Sequence, residues 1–235
     1  MLDGRSILAI VPARSGSKGI PGKNMRALRG VSLIGWAGRT LAQLPFIDRR
    51  IITTDARAYA DEGERYGLEA PFLRPPELST DTAGAVETIQ HALTAMETQT
   101  GRRFDVVLLV EPTSPLRRPE DVEKTARALI ASGADSAVTV SPLPAKFHPL
   151  KALTMTGEGL GFYLEAARDI QSRQALEPLY WRNGVCYGLT RACVLEQGAI
   201  FGKRTVAVPI DHEVVNIDEP SELEAAELLL PTVVR

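Results

Sequence analysis

Two continuous apolar segments of strand length constrain the fold of this chain more than any other feature of its sequence. Residues 7–11 and 106–110 contain no polar side chain. That pattern is typical of strands covered on both faces, which occur in parallel sheets with helices on either side. Residues 50–54 and 135–140 are two further candidate strands. The sequence therefore predicts an α/β fold built on a mostly parallel sheet.

Helical patterns separate the predicted strands. One helix face is formed by four apolar residues at helical spacing: Val86, Ile89, Leu93 and Met96. Pro119 and Gly133 have the positions expected at the start and end of a second helix. Residues 221–224 read as a capping box that opens a last helix ending at Pro231. Alternation of strands and helices predicts a doubly wound, Rossmann-like sheet with ligands at the carboxyl ends of its strands.

Length and composition favour one domain. The chain has 235 residues, of which 44% are hydrophobic, and a chain of this length can bury one substantial core. We therefore predict a single domain over residues 1–235. Residues 141–181 interrupt the strand and helix pattern with several prolines and glycines, so we predict an excursion from the sheet there. Such an excursion is a lid, a binding element, an oligomer contact or an ordinary surface hairpin.

The charge balance excludes some classes of partner. A formal net charge of -2 gives no overall field for binding nucleic acid or an anionic membrane. No apolar run approaches the roughly 18 residues of a membrane span. The spacing of the only two cysteines, Cys186 and Cys193, fits no metal motif and suggests reduced core thiols. We expect a cytoplasmic protein.

A glycine-rich cationic loop directly follows the first predicted strand. Gly16, Gly19 and Gly22 let backbone N–H groups approach phosphate oxygens closely. The spacing matches neither a Walker A motif nor a dinucleotide fingerprint, which counts against a kinase or a dehydrogenase. A solvated surface turn is the alternative to a phosphate site. From position 14 to position 29 the sequence contains no acid and five cations: Arg14, Lys18, Lys23, Arg26 and Arg29.

Five motifs together resemble one enzyme family. Residues 10–24, I-V-P-A-R-S-G-S-K-G-I-P-G-K-N, resemble the opening motif of the acylneuraminate cytidylyltransferases, also called CMP-sialic acid synthetases. The resemblance continues through S-T-D-T at 79–82, E-P-T-S-P-L-R at 111–117, N-G at 183–184 and N-I-D at 216–218. It spans nearly the whole chain in the right order. The resemblance implies a sheet of the nucleotide-diphospho-sugar transferase type, with residues 141–181 as an inserted dimerisation and sugar-binding excursion of a homodimer.

The resemblance also implies the reaction. In this family a hydroxyl of a 2-keto-3-deoxy acid sugar such as N-acetylneuraminate attacks the α-phosphate of CTP, and pyrophosphate leaves. Legionaminate, pseudaminate, 3-deoxy-octulosonate or another nucleotide are alternatives, as is a catalytically silent protein that only binds nucleotide. Arg14 and Lys23 are implied to meet the triphosphate, with Lys18 as a helper. The implied nucleotide site comprises Ala13, Arg14, Ser15, Gly16, Lys18, Lys23, Asn24, Arg74 and Ser79.

The implied sugar site departs from the family pattern at Glu111, because the family usually has Gln there. Either the sugar offers an extra hydrogen-bond donor to this carboxylate, or Glu111 turns away toward Arg117. His148 and Lys151 match a segment near the partner subunit's sugar site, although His148 also fits a packed structural residue. The implied sugar-binding residues are Glu111, Thr113, Ser114, Arg117, His148, Lys151, Arg173, Gln174, Asn183 and Gly184.

A metal site is implied near the end of the chain. Family members commonly carry two aspartates one residue apart, and the matching positions here are Asn216 and Asp218. Mg²⁺ binds oxygen ligands and keeps several waters, so Asp218 can be its charged ligand while Asn216 or a water replaces the second. Asp218 thereby joins Arg14 and Lys23 as an implied catalytic residue. The alternative is that Asn216 and Asp218 only shape a turn.

Overall fold

A six-stranded sheet is the scaffold of the fold. The computed structural model describes residues 1–17, 19–80, 82–157, 159–169 and 176–230. Its strands, numbered in chain order, are β1 Ile7–Pro12, β2 Ala27–Leu28, β3 Val31–Ser32, β4 Arg49–Thr53, β5 Val106–Leu109, β6 Ser136–Pro142, β7 Leu153–Thr156, β8 Gly159–Phe162, β9 Tyr180–Thr190 and β10 Thr205–Pro209.

Six helices accompany these strands in the described part of the chain. They are α1 Leu33–Ala42, α2 Arg57–Arg65, α3 Ala85–Thr100, α4 Pro119–Ser132, α5 Arg191–Leu195 and α6 Pro220–Leu229. Among the described residues, no helix combines the length and the apolar character that crossing a membrane requires.

The strand order confirms the predicted fold class. The main sheet runs β10-β6-β9-β5-β1-β4. β1 pairs in parallel with both β4 and β5, and β9 runs antiparallel to β5. β1 and β5 are central, and every residue of both strands except Pro12 is buried, as their apolar sequences predict. The carboxyl ends of β1, β4 and β5 therefore lie at one edge of the sheet.

One predicted helix start is wrong. α6 begins at Pro220, with Glu219 as its N-cap, and not at a cap formed by Ser221. The Glu219 N–H donates to the Glu222 carboxylate at 2.8 Å. Proline at the first helical position fixes the helical φ angle and lacks an N–H that would need a partner, so the helix starts earlier than the serine suggests. The predicted start and end of α4 are confirmed, because this helix begins at Pro119 and has Gly133 as its C-cap.

The chain divides into two compact units. The single domain over residues 1–235 stays a prediction. The second unit is Val140–Arg182, and the predicted excursion covered residues 141–181. Within it, β7 and β8 form an antiparallel hairpin in which Leu153 pairs with Phe162. The imidazole Nδ1 of His148 accepts a hydrogen bond from the Leu150 N–H at 3.2 Å. Several large apolar side chains of this unit are exposed: Phe147, Leu153, Met155, Leu160, Phe162 and Tyr163.

A bidentate ion pair joins α3 to α5 in the first unit. The guanidinium of Arg191 donates from Nε to Glu97 Oε1 and from Nη2 to Glu97 Oε2, both at 2.9 Å. The same carboxylate accepts the Phe104 N–H at 3.0 Å. Burial opposes ionisation of Glu97, but the hydrogen bonds from Arg191 and Phe104 outweigh it and lower the pKa of this carboxyl. The deprotonated form of Glu97 therefore stabilises the fold.

We expect Glu97→Gln to lower the free energy of unfolding at neutral pH by about 1 kcal/mol, because it replaces charged hydrogen bonds with neutral ones. The pKa of Glu97 is lower in the folded than in the unfolded chain, where it is 4.5. The stabilisation is therefore complete above that value and is lost as pH falls through the lower, folded-state pKa. Urea unfolding near pH 7 and at about pH 3 would measure this. Glu64→Gln, an exposed helix position, is the control. A difference between Glu97→Gln and the unsubstituted protein that does not change with pH would contradict the assignment.

Candidate active site

A cavity of about 660 Å³ opens at the carboxyl edge of the sheet. Pro12 and Leu109, the last residues of β1 and β5, are part of its lining. This is where a doubly wound sheet is expected to bind ligands. All of its lining residues belong to the first unit. They include eight residues that the sequence analysis selected: Arg14, Lys23, Asn24, Arg74, Glu111, Thr113, Asn216 and Asp218.

The glycine-rich loop is fixed to the sheet on both sides of Arg14. Ala13 is buried, and its N–H donates to the carbonyl of the last residue of β4 at 3.0 Å. Ser15 donates from its N–H to Asp55 Oδ1 at 2.8 Å and from its hydroxyl to Asp55 Oδ2 at 2.6 Å. Farther along the loop, buried Asn24 donates to the Arg14 carbonyl at 3.3 Å. The loop backbone is thus positioned before any ligand binds.

Lys23 joins this loop to the segment before α6. Its Nζ donates to the Ile217 carbonyl at 2.7 Å and to Asp218 Oδ1 at 3.0 Å. The Lys23 side chain is only 14% exposed, whereas the Asp218 side chain is 71% exposed. Gly19 comes so close that a Cβ there would lie 2.8 Å from the Asp218 carbonyl oxygen. A lysine ammonium has three N–H donors, so one is still available for a ligand in the cavity.

Arg74 lines the cavity and is held in place by Ser79, which lies outside that lining. Arg74 is buried, and its Nε donates to the Ser79 hydroxyl at 3.0 Å, which in turn donates to the Pro75 carbonyl at 3.2 Å. Burial lowers the pKa of the Arg74 guanidinium, Asp55 opposes that change, and the nearby charge of Arg14 adds to it. The side chains of Arg14 and Arg74 thus lie within electrostatic reach of each other. Two guanidinium groups at one cavity form a site for an anion.

Gly184 is the point at which three polar side chains of the cavity region meet. It lies in β9 with a φ of 69°. A Cβ at this position would stand 3.1 Å from Glu111 Oε2, 3.3 Å from Ser114 Oγ and 3.4 Å from Asn216 Cγ. Buried Ser114 also donates to the Asn183 carbonyl at 3.3 Å. The structure therefore brings together three motifs that are far apart in sequence: 111–117, 183–184 and 216–218.

Oxygen atoms dominate the donor set around Asn216 and Asp218. The Asn216 Oδ1 atom is buried and has no hydrogen-bond partner in the described structure. The carboxylate of Asp218 lies two residues later on the same rim and pairs with Lys23. Hard oxygen donors of this type suit Mg²⁺. Within the described ranges, no group of three or more His, Cys, Asp or Glu side chains could hold a metal ion.

Arg117 is buried away from the described lining of this cavity. Its guanidinium donates from Nε to the Val185 carbonyl and from Nη2 to the Glu111 carbonyl. Burial lowers the pKa of Arg117 to about 10, and the negative charges of Glu111 and Asp121 oppose that change. The side chain therefore holds β9 against the loop after β5. This contact of Arg117 with Glu111 is thus to the backbone carbonyl.

The remaining predicted residues have different positions. Lys18, Arg173 and Gln174 lie outside the described residues. His148 and Lys151 belong to the second unit, in the short helical turn that follows Phe147. Gly16 is exposed in the glycine-rich loop.

Sequence reasoning missed two residues that hold the loop. Asp55 follows β4 by two positions and binds Ser15, and the Tyr59 hydroxyl donates to the Ser15 carbonyl at 3.5 Å. A usable signal existed for Asp55, because polar residues directly after a predicted parallel strand lie at the ligand edge of the sheet. Tyr59 is buried on α2, and its spacing does not distinguish it from an ordinary core tyrosine.

Comparisons with known proteins identify the family of this chain. A family model described as cytidylyltransferase matches residues 8–229. A CMP-N,N'-diacetyllegionaminic acid synthase from Legionella pneumophila is 32% identical over 95% of this chain and 96% of its own length. An N-acylneuraminate cytidylyltransferase from Streptococcus agalactiae serotype V is 29% identical over 88% of this chain and 48% of its own length.

A solved structure supports the fold independently. The chain resembles CMP:2-keto-3-deoxy-manno-octonic acid synthetase complexed with CTP, with a TM-score of 0.69 over 95% of this chain and 98% of that one. Their sequence identity is 16%, so this likeness concerns the fold. The family model covers most of the chain, and the resemblance that the five motifs predict is confirmed. The chain belongs to the cytidylyltransferase family and is a CTP-dependent nucleotidyltransferase.

Proposed function

We propose that this protein transfers the cytidylyl group of CTP to an acidic 2-keto-3-deoxy sugar of the nonulosonic type. The sugar hydroxyl oxygen bonds to the α-phosphorus while the bond from that phosphorus to the bridging oxygen of the β-phosphate breaks. Pyrophosphate leaves, and the hydroxyl proton passes to solvent. The products are a CMP-sugar and pyrophosphate. The names of the relatives, which act on legionaminic and acylneuraminic acids, support this substrate class.

One observation carries the proposal: cationic and polar side chains from separate motifs line a single cavity. Arg14, Lys23 and Arg74 supply positive charge for a triphosphate, and Glu111 and Thr113 lie in the same lining. Cytidylyl transfer needs mainly positioning and neutralisation of phosphate charge. Arg14 and Lys23 would hold the β- and γ-phosphates and stabilise the pyrophosphate as it leaves. Asn24 and Ser79 would contact the nucleoside.

Two other residues of the cavity lining, Asn216 and Asp218, fit a divalent cation. The buried, unpartnered Asn216 Oδ1 and the Asp218 carboxylate would hold Mg²⁺ together with phosphate oxygens and waters. The bound cation would neutralise phosphate charge and orient the triphosphate. A single carboxylate that already pairs with Lys23 is a weak site on its own. We therefore infer that the metal enters chiefly as the Mg–CTP complex.

Glu111 restricts which group of the sugar can bind beside it. Its carboxylate lies beside Gly184, close to Ser114 and Asn216, so this part of the cavity is rich in hydrogen-bond acceptors. A sugar carboxylate placed here would meet repulsion, whereas an N–H or O–H donor would be favoured. We infer that the acid sugar presents an amide or hydroxyl donor to Glu111 and directs its own carboxylate elsewhere. N,N'-diacetyllegionaminic acid and N-acetylneuraminate are the first two substrates to test.

A homodimer through the second unit stays a prediction. Its support is the set of exposed apolar side chains on and beside the β7–β8 hairpin, of which Met155 is 88% exposed. Exposed apolar groups on this scale are typical of interaction surfaces, and two-fold dimers are the commonest assembly.

We expect CTP to stabilise this protein against heat more than ATP, GTP or UTP does, with Mg²⁺ present. A ligand at 100 times its Kd adds about 2.7 kcal/mol to the free energy of unfolding. A thermal-shift series over the four nucleotides measures the preference, and pyrophosphate release with the two acid sugars then measures turnover. A preference for ATP or GTP would overturn the proposal, and CTP binding without turnover on any acid sugar would favour a silent nucleotide-binding protein.

Arg14→Ala and Lys23→Ala should each reduce kcat by about two to three decades, because each removes a fixed charge that faces the leaving pyrophosphate. The melting temperature should change little for Arg14→Ala, since a partly exposed loop cation contributes little to stability. Arg26→Ala is the matched control, because Arg26 is an exposed cation of the same loop outside the cavity lining. Equal rates for all three variants would show that the charge of these positions is not used in turnover.

Asp218→Asn should have opposite effects on metal-dependent and metal-free binding. It removes the carboxylate that would hold Mg²⁺, so turnover should fall at least about 100-fold at millimolar Mg²⁺. It also releases Lys23 from its ion pair, so the affinity for CTP without metal should rise. Calorimetric titration with CTP, with and without Mg²⁺, separates the two effects. Asn216→Asp should keep activity and tighten the metal. An Asp218→Asn variant with an unchanged Mg²⁺ dependence would contradict this role.

A further inference from the structure

The corner between β4 and α2 holds the glycine-rich loop through Asp55. Both carboxylate oxygens of Asp55 are used on the same loop residue, because Oδ1 accepts the Ser15 N–H at 2.8 Å and Oδ2 accepts the Ser15 hydroxyl at 2.6 Å. Hydrogen bonds to an ionised carboxylate are about twice as strong as neutral ones. The two bonds fix both the position and the orientation of Ser15, the residue next to Arg14.

Asp55 also faces the second arginine of the cavity. The backbone N–H of Arg74 donates to the Thr54 carbonyl at 2.7 Å, which places Arg74 beside the same corner. Burial opposes ionisation of Asp55, but the hydrogen bonds from Ser15 and the charge of Arg74 outweigh it, and they lower the pKa of Asp55. Asp55 is therefore a carboxylate in contact with the loop on one side and close to Arg74 on the other.

Tyr59 supports the same arrangement from α2. Its hydroxyl donates to the Ser15 carbonyl at 3.5 Å, so Ser15 is held at its N–H, its side chain and its carbonyl. Burial raises the pKa of Tyr59, and the charge of Asp55 raises it further, so the hydroxyl keeps its proton. The corner made by Asp55 and Tyr59 thus leaves Ser15 little freedom.

The two arginines would repel each other without a negative charge nearby. Arg14 and Arg74 both line the cavity, and the positive charge of each disfavours the other. An anion such as a triphosphate balances them in the complex. Before the anion binds, Asp55 is the carboxylate beside them that the structure connects to both, through Ser15 to Arg14 and through space to Arg74.

We propose that Asp55 is a positioning residue for this site, which sets the separation of Arg14 and Arg74 so that both reach one triphosphate. The inference rests on the proposed function, because it takes the triphosphate of CTP as the anion. The inference predicts the direction in which the affinity for an anion changes when Asp55 is removed. Asp55 is a negative charge close to an anion site, so electrostatics alone predicts that its removal tightens anion binding. Positioning predicts the reverse, since the arginines lose their fixed geometry.

The test measures the Kd of two ligands, Mg–CTP and inorganic tripolyphosphate, by calorimetry on three variants. Asp55→Ala removes both acceptors, Asp55→Asn keeps an oxygen for the Ser15 N–H, and Ser15→Ala keeps the carboxylate but removes the hydroxyl bond. Asp61→Asn is the matched control, because Asp61 lies on α2 and pairs only with exposed Arg57 among its described ion-pair partners. Melting temperatures are measured alongside. If Asp55→Ala does not fold, the other two variants still decide the question.

We expect Asp55→Ala to raise the Kd of both ligands about tenfold or more, with smaller increases for Asp55→Asn and Ser15→Ala and none for Asp61→Asn. A Kd that falls or stays constant in the Asp55 variants would overturn the inference. Failure of the proposed function looks different, because the unsubstituted protein would then not prefer CTP. In that case tripolyphosphate alone still reports on the loop. A purely structural role would lower the melting temperature and leave both Kd values unchanged in the folded protein.

Discussion

Repulsion among the cationic side chains of the cavity is the interaction that the surrounding residues must offset. Arg14, Lys23 and Arg74 line one cavity, and the sequence of the loop that carries the first two contains no acidic residue from position 14 to position 29. Two carboxylates from other parts of the chain offset this repulsion. Asp218 pairs with Lys23, and Asp55 lies beside Arg74 while it binds the loop. These two carboxylates therefore hold the cationic side chains in position and partly offset their positive charge.

The topology explains how these acids reach the loop. β1 lies between β4 and β5, so the loop after β1 has the corner after β4 on one side and the segment after β5 on the other. Asp55 comes from the first of these neighbours, and Glu111 comes from the second. Asp218 approaches from the segment before α6, whose Ile217 N–H donates to the Thr113 carbonyl at 2.8 Å. A parallel arrangement thus gathers distant short motifs around one anion position.

Much of this could be predicted from the sequence, and the limits have physical causes. Apolar runs predicted β1 and β5 because strands buried on both faces need no polar residues. The glycine-rich loop was recognisable because its charge and its glycines are local. β9 was not predicted, and the Asn-Gly pair at 183–184 is a dipeptide more typical of turns than of strands. In the structure they lie inside a strand, where a positive φ at Gly184 and close neighbours explain the glycine. The position of Asp55 after a predicted strand placed it at the ligand edge of the sheet, but its contact with Ser15 depends on strand order, which no local pattern contains.

The crowding at Gly184 has a consequence for altering the substrate range of this enzyme by directed evolution. Any other residue at this position would combine an unfavourable backbone conformation with contacts at 3.1 to 3.4 Å to three side chains. A mutational library that varies this site should therefore leave position 184 unchanged and vary its neighbours as a set. Substitutions at 111, 114 and 216 share one small volume, so their effects will be non-additive. Improved variants are then expected among paired exchanges, and single exchanges screened one at a time would miss them.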